Sequence, residues 1–406
     1  MHEEETTKRR AATDDFDQEP QQLGQEAAAR GALSHIRVLD FTQLLQGPMA
    51  TQILGDLGAE IIKFEKLGGE WMRHWGILAS RSHGEVDSFL AFNRNKKSVV
   101  VDFKDRQVVD RILEMATDAD VVVENFRPGV MARLGLGYDD FSTVNPAIVY
   151  ASSSGYGQAG PYAQWPGQDM LVQALSGVMH LTGRDGDPPT ACGIGVGDEF
   201  TALHLVIAIL AALEHRRHTG KGQKVEVDLL SCTVAAQQQE LTVYLNHHQE
   251  LRRGRANIGH VGGTAPFGIY ATSDGYITLA MMPCPKLGKI LGVSWLDEFD
   301  TDDKMYLERD RVHEMLSRHF EVDSTSRWLE LLRSHDVWCA EVQGYPQVER
   351  DPQLNYRGLF WDVPVGDGGQ SFKTVGSPFY FSETPAALRS GVPRAGQNTQ
   401  EFFSKA

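Results

Sequence analysis

The chain has 406 residues and a formal net charge of −15; 41% of it is hydrophobic and 23% charged. That length exceeds one ordinary core and predicts two domains, or three, in a chain of ordinary soluble composition. The acidic balance argues against nucleic acid or an anionic membrane as partner, and no charge-free apolar run reaches the roughly 18 residues of a membrane span.

Residues 1–30 are polar, charged and Gln-rich, and read as a disordered tail. Lys8-Arg9-Arg10 has no apolar region after it, so no export signal is predicted and a cytoplasmic location is expected. From residue 36 strands and helices alternate. "IRVLDF" (36–41) reads as a buried strand and "GPMATQILGDLG" (47–58) as a helix closed by glycine. "EIIKFE" (60–65), "SVVVDF" (98–103), "DVVVENF" (120–126) and "AIVYASSSG" (147–155) read as further strands, with helical patterns at about 106–117 and 129–136. Short β-branched strands separated by helices predict an α/β fold with a mainly parallel, doubly wound sheet. The stretch after the first strand, "DFTQLLQGPMA", has no G-x-G-x-x-G, which argues against a dinucleotide enzyme. "SSSGYG" is not G-x-S-x-G, so no nucleophile elbow is predicted.

"CGIGVGDEFTALHLVIAILAALEHRRHTGKG" (192–222) predicts a long helix, with Phe200, Leu203, Val206, Ile207, Leu210 and Leu213 at helical spacing. Basic residues and then Thr219-Gly220-Lys221-Gly222 close it. Asp198 and Glu199 stand at its start. An acid there is ordinarily an N-cap, worth about 1 kcal/mol, with its neighbour favouring the helix dipole. The segment alone leaves cap and functional carboxylate both open. Farther on, 224–230 reads as a strand and 231–250 as a helix. "IYATSDGYITLAM" then looks like a hairpin within a smaller α+β unit, and the Pro/Gly-rich C-terminal stretch reads as irregular structure and edge strands. The expected division is a large α/β domain over 31–224, completed by about 346–406, and a small α+β domain over 225–345. The four cysteines (192, 232, 284 and 339) are scattered, which argues against a zinc site or disulfide framework and makes Cys192 a buried thiol.

The series "VLDFTQLLQGPMATQILGDLGAEIIKFE", "NRNKKSVVVDFKD", "VVVENFRPGVMARLGLGYDDF", "GYGQAGPY", "QDMLVQALSGVM" and "TGKGQKVEVDLL" resembles the family III CoA-transferases. That family includes formyl-CoA transferase, carnitine CoA-transferase and α-methylacyl-CoA racemase. The resemblance runs from about residue 32 to the C-terminus and is densest over 36–232. It implies a doubly wound large domain, a small domain, and a homodimer of two interlocked chains.

By the same resemblance Asp198, in "GVGD", matches the family's catalytic aspartate, which becomes an aspartyl-CoA thioester. A carboxylate with a reference pKa of about 3.9 is ionised at neutral pH and can attack a thioester without a general base. Asp169 matches a second active-site acid; a cap for the helix that follows it is an equal alternative. Gln168 stands where the racemases carry a histidine, and glutamine has no titratable proton, which weighs against epimerisation. Gly262-Gly263 resembles a glycine-rich loop over the site, with N–H groups able to meet an oxyanion and positive φ accessible; a plain turn is the alternative.

For coenzyme A the match carries over Leu44, Leu45, Lys66, Val101, Lys104, Asn125, Phe126 and Arg133. Lys96, Lys97 and Arg127 are expected to join a cradle for its phosphates. Lys66 stands where formyl-CoA transferase has arginine. Leu45 and Gln46 replace its Gln-Ala pair, which weighs against formyl or oxalate chemistry. The expected activity moves CoA from an acyl-CoA, a substrate rather than a tightly bound cofactor, to a small carboxylic acid, with no metal. An acyl-CoA racemase and a non-catalytic CoA-binding protein are the alternatives.

Overall fold

Residues 31–75, 84–256 and 258–403 are described by the computed structural model; the expected N-terminal tail lies outside them. Six strands form one parallel sheet: β1 (Arg37–Asp40), β2 (Glu60–Lys66), β3 (Lys96–Val101), β4 (Val121–Glu124), β5 (Val149–Ser154) and β6 (Gln223–Asp228). Their spatial order is β3-β2-β1-β4-β5-β6, so the chain winds outward from β1 and then reverses to β4. Register is direct, with Leu39 opposite Ile62 on one side and Val122 on the other.

The unbroken β-branched runs follow from burial on both faces, because successive side chains point to opposite sides. Val38, Ile61, Val121, Val123, Val149 and Ala151 face one layer of helices. That layer is α1 (Gln46–Asp56) and a long helix, Val196–Thr219. Leu39, Ile62, Val122 and Tyr150 face the other, where α2 (Arg106–Ala116) contributes Val109 and Ile112. The sheet is therefore doubly wound, as its sequence pattern predicts.

Three helices matter for the site: α3 (Asp169–Ser176), the long helix already described, α4 (Val196–Thr219), and α5 (Leu229–Ala235). The single helix expected over 231–250 is in fact α5 and α6 (Gln238–His247). The break falls at Gln237, whose side-chain amide donates to the Thr233 and Ser176 carbonyls.

The expected hairpin is present as β7 (Gly268–Ala271) and β8 (Tyr276–Leu279), extended by β9 (Cys339–Glu341) into an antiparallel sheet. Tyr270, Ile277, Leu287, Phe299, Leu316, Phe320 and Leu332 form its separate core. The boundary expected at 224 falls inside β6, which pairs along its length with β5. After the hairpin β10 (Phe360–Val365) and β11 (Gln370–Val375), the chain returns to the large sheet. The Ser98 N–H donates to Asn398 Oδ1 and the Val100 N–H to Thr399 Oγ1, so side chains satisfy the open edge of β3.

Candidate active site

In an open parallel sheet, ligands bind beyond the carboxyl ends of the strands where the winding reverses. Here that point lies between β1 and β4. The connection from β1 to α1 is held there by buried charge. Lys63 is fully buried, donates to the Thr42 carbonyl (2.7 Å) and pairs with Glu70. Glu70 also accepts the Leu44 N–H at 2.9 Å. The Asn125 amide grips the Gln43 backbone in both directions, each bond 2.8 Å. These bonds hold Leu44 at φ +69, a left-handed conformation unfavourable for a branched residue.

Asp198 approaches this connection from the start of α4. It is the third residue of that helix, whose N-cap is Gly195 without a side-chain bond, so Asp198 is not the cap. Asp169 does that work from α3: its Oδ1 accepts the N–H groups of Gly197 (2.7 Å) and Asp198 (3.3 Å). Gln173 Nε2 holds the other oxygen, Oδ2, at 2.6 Å. A glycine is needed at 197, because a Cβ there would lie 2.9 Å from Thr233 Oγ1 and 3.0 Å from Asp169 Oδ1. Asp169 thus caps not the helix it opens but the one that presents Asp198.

The Asp198 carboxylate itself accepts no hydrogen bond from a described residue. It opens into a cavity of about 270 Å³ lined by Leu44, Leu45, Gln46, Phe126, Arg127 and Trp165, among others. Burial, reinforced by the charges of Asp169 and Glu199, pushes its carboxyl up to about 7. This corrects the expectation of an ordinary carboxylate fully ionised at neutral pH.

Of the expected CoA contacts, Leu44, Leu45, Asn125 and Phe126 line this cavity together with Gln168 and Arg127. Asn125 does so with its amide already committed to Gln43. Lys66 and Val101 sit side by side at the carboxyl ends of β2 and β3. Lys104 follows them, and Arg133 ends the short helix Val130–Arg133 after β4. Lys66, Lys104 and Arg133 are exposed, whereas the Val101 side chain is buried in the core.

Lys96 and Lys97 do not belong to the cradle. Lys96 is buried against Asp40 and the Pro48 carbonyl, and burial lowers its ammonium to about 8. Lys97 points to the amino edge of the sheet, paired with Glu60 and Glu401.

Gly262 and Gly263 lie away from the Asp198 cavity of the same chain, and neither has positive φ. The Gly262 N–H donates to His260 Nδ1, and Arg309 holds the carbonyls of Val261 and Gly263.

Sequence reasoning passed over Gln43, Ser154, Trp165 and Leu229 as parts of the cavity. Three of them follow or end β1, β5 and β6, so the strand assignments already carried the signal. A second cavity of about 280 Å³ adjoins it through Arg127 and is lined by Glu124, Tyr138, Tyr150 and Lys224. Glu124 is also pushed up to about 7 by burial, but it accepts bonds from Ser152 and the Phe126 N–H and is not bare.

The family model described as CoA-transferase family III matches residues 33–399. Succinyl-CoA:glutarate CoA-transferase of Homo sapiens is 35% identical, over 92% of this chain and 85% of its own. Formyl-CoA:oxalate CoA-transferase of Streptomyces coelicolor is 33% identical, over 92% of this chain and 94% of its own. Among solved structures, a CAIB/BAIF family protein from Brucella suis superposes with a TM-score of 0.82 at 30% identity, covering 92% of this chain and 98% of that one. With a parallel sheet whose winding reverses at a cavity holding an uncapped aspartate, the chain belongs to the family III CoA-transferases and is an enzyme of CoA transfer.

Proposed function

We propose that the chain moves CoA from an acyl-CoA to a free carboxylic acid through a thioester on Asp198. The observation that carries this reading is that Asp198 stands in the cavity with no described residue hydrogen-bonded to its carboxylate. Its oxygen attacks the thioester carbonyl, the C–S bond breaks, and a mixed anhydride and CoA thiolate result. The thiolate attacks the aspartyl carbonyl, releases the first acid and leaves aspartyl-CoA. The incoming carboxylate then displaces CoA to form a second anhydride. Thiolate attack on its acyl carbonyl gives the new acyl-CoA and restores Asp198. Acyl activation is kept throughout, so no nucleotide is consumed.

The residues lining the cavity favour this over epimerisation. Asp198 is the one carboxyl among them and Arg127, always charged, the one cation; no second acid or base stands across from Asp198. The names of the relatives pair CoA esters with glutarate and oxalate, so short dicarboxylic acids are the acceptors to test first.

A second copy of the chain fits the face beside the site. α4 is long and apolar enough to cross a membrane, but one of its faces, with Ala202, Leu205, Val206 and Ile209, is buried against the sheet. Its other face carries Phe200, Leu203 and Ile207 at 37%, 42% and 62% exposure, and Met170, Leu171 and Leu175 of α3 are exposed too. Apolar exposure on this scale marks an interface, and a homodimer covers it.

The test is protein incubated with succinyl-CoA and glutarate, then quenched with hydroxylamine or borohydride. A new CoA ester and a mass change on the Asp198 peptide are expected. Transfer with the label on Asp169 or Cys192 overturns the assignment.

A further inference from the structure

The described residues include four buried glutamines, and three are engaged. Gln52 accepts the Arg94 N–H, Gln173 bonds Asp169, Ile194 and Cys192, and Gln237 bonds Ser176 and Thr233. Gln46, only 7% exposed, is the exception: its amide forms no hydrogen bond with a described residue, and Oε1 is buried without a partner. A buried amide in that state is destabilising, and native structures rarely keep one without a use. It lines the same cavity as Asp198, from the first position of α1, a helix with no side-chain cap.

We infer that Gln46 binds the reacting acyl group. Resting on the reading of Asp198 as nucleophile, this assigns the amide of Gln46 as the hydrogen-bond donor to the thioester carbonyl oxygen. As Asp198 attacks, that oxygen takes on negative charge and the bond strengthens, which lowers the barrier rather than tightening the ground state. The positive end of α1 adds to the same field. The incoming acid's carbonyl occupies the same place in the second half of the cycle, so one donor serves both acyl groups.

Gln46→Met keeps length and burial but removes the donor. In a single turnover with succinyl-CoA, the rate of label appearing on Asp198 should fall about 10²-fold, the loss typical of one oxyanion donor. Half-saturation by succinyl-CoA should stay within about twofold. The melting temperature should hold or rise, because an unsatisfied buried group has been removed. Gln46→Ala should repeat the rate loss should methionine prove too bulky. Labelling at the wild-type rate, a loss confined to half-saturation, or a rate loss that tracks a lowered melting temperature overturns the inference. Wild-type protein that turns over without a label on Asp198 would instead remove the nucleophile reading, and this assignment with it.

Discussion

The two edges of the six-stranded sheet differ in how their solvent-facing charged side chains are matched. Along the amino edge they are matched in a continuous chain. Glu401 meets Lys97 at 2.6 Å, Lys97 meets Glu60 at 2.8 Å, and Glu60 meets Arg37 at 2.7 Å. The Arg37 N–H then bonds Asp120 at 2.7 Å, and Asp120 pairs with Arg216 at 2.8 Å. At the carboxyl edge Lys66, Lys104, Arg127 and Arg133 form no ion pair with a described residue, and Asp198 accepts no bond. Charges matched within the chain support the fold. The unmatched cations beyond the carboxyl ends of β2, β3 and β4 are available to an anionic ligand.

The largest break in this contrast is Asp198→Asn. It keeps the shape, removes the proposed nucleophile, and should lower transfer by about 10⁴-fold or more, read as product CoA ester. The same variant sharpens the electrostatics. With the folded carboxyl raised to about 7 from an ordinary 3.8, the native state holds a proton that the unfolded chain releases. Stability present near pH 4 is therefore lost as pH rises toward 7. Relative to wild type, Asp198→Asn should gain melting temperature between pH 5 and pH 8 and match it near pH 4. Acylation by the wild type should climb through pH 7 as the carboxylate forms. A flat difference in melting temperature would show that Asp198 titrates normally.

Much of this was legible in the sequence. Strand order and double winding follow from runs such as Val121-Val122-Val123, because a residue buried on each face leaves no polar alternation to confuse with a surface strand. The proposed site was legible by position to this extent: Asp198, Leu44, Leu45 and Phe126 line one cavity. What misled was reach. Lys96 and Lys97 are neighbours of the cradle along the chain, but a parallel strand separates its ends by its full length, so cations that begin β3 cannot serve its carboxyl edge. The helix of Asp198 misled in another way. Spacing marked Phe200, Leu203, Val206, Ile207, Leu210 and Leu213 as helical. Of these Val206, Leu210 and Leu213 pack in the core, Phe200, Leu203 and Ile207 are exposed, and the unmarked Leu205 and Ile209 are fully buried beside the sheet. α4 is apolar all round, and periodicity cannot rank two apolar faces.

Smaller effects follow at the carboxyl edge. Lys104→Ala and Arg133→Ala should each raise KM for the acyl-CoA about tenfold at low salt, with kcat at saturation little changed, since a phosphate contact is made equally in ground and transition states. The effect should shrink at high ionic strength. Normal binding by both variants in low salt would break the distinction between the edges.

The smallest effect belongs to the amino edge and tests the other half of the contrast. Lys97→Ala removes a partially exposed lysine from Glu60 and Glu401, an interaction worth about 0.2–1 kcal/mol per pair. KM for the acyl-CoA should not move. Burial would raise the Glu60 carboxyl, but the hydrogen bonds and charges of Lys97 and Arg37 outweigh it and hold the group below its ordinary 4.5. A lowered carboxylate stabilises the fold above its unfolded value, and that contribution is lost as pH falls through the folded one. The gap between wild type and Lys97→Ala in urea unfolding should therefore be open at pH 7 and close as the pH falls below that ordinary value. A gap that persists in acid would place the lysine's contribution in its aliphatic packing on Phe402, over whose ring its ammonium lies 5.4 Å from the centroid, and not in the ion-pair chain.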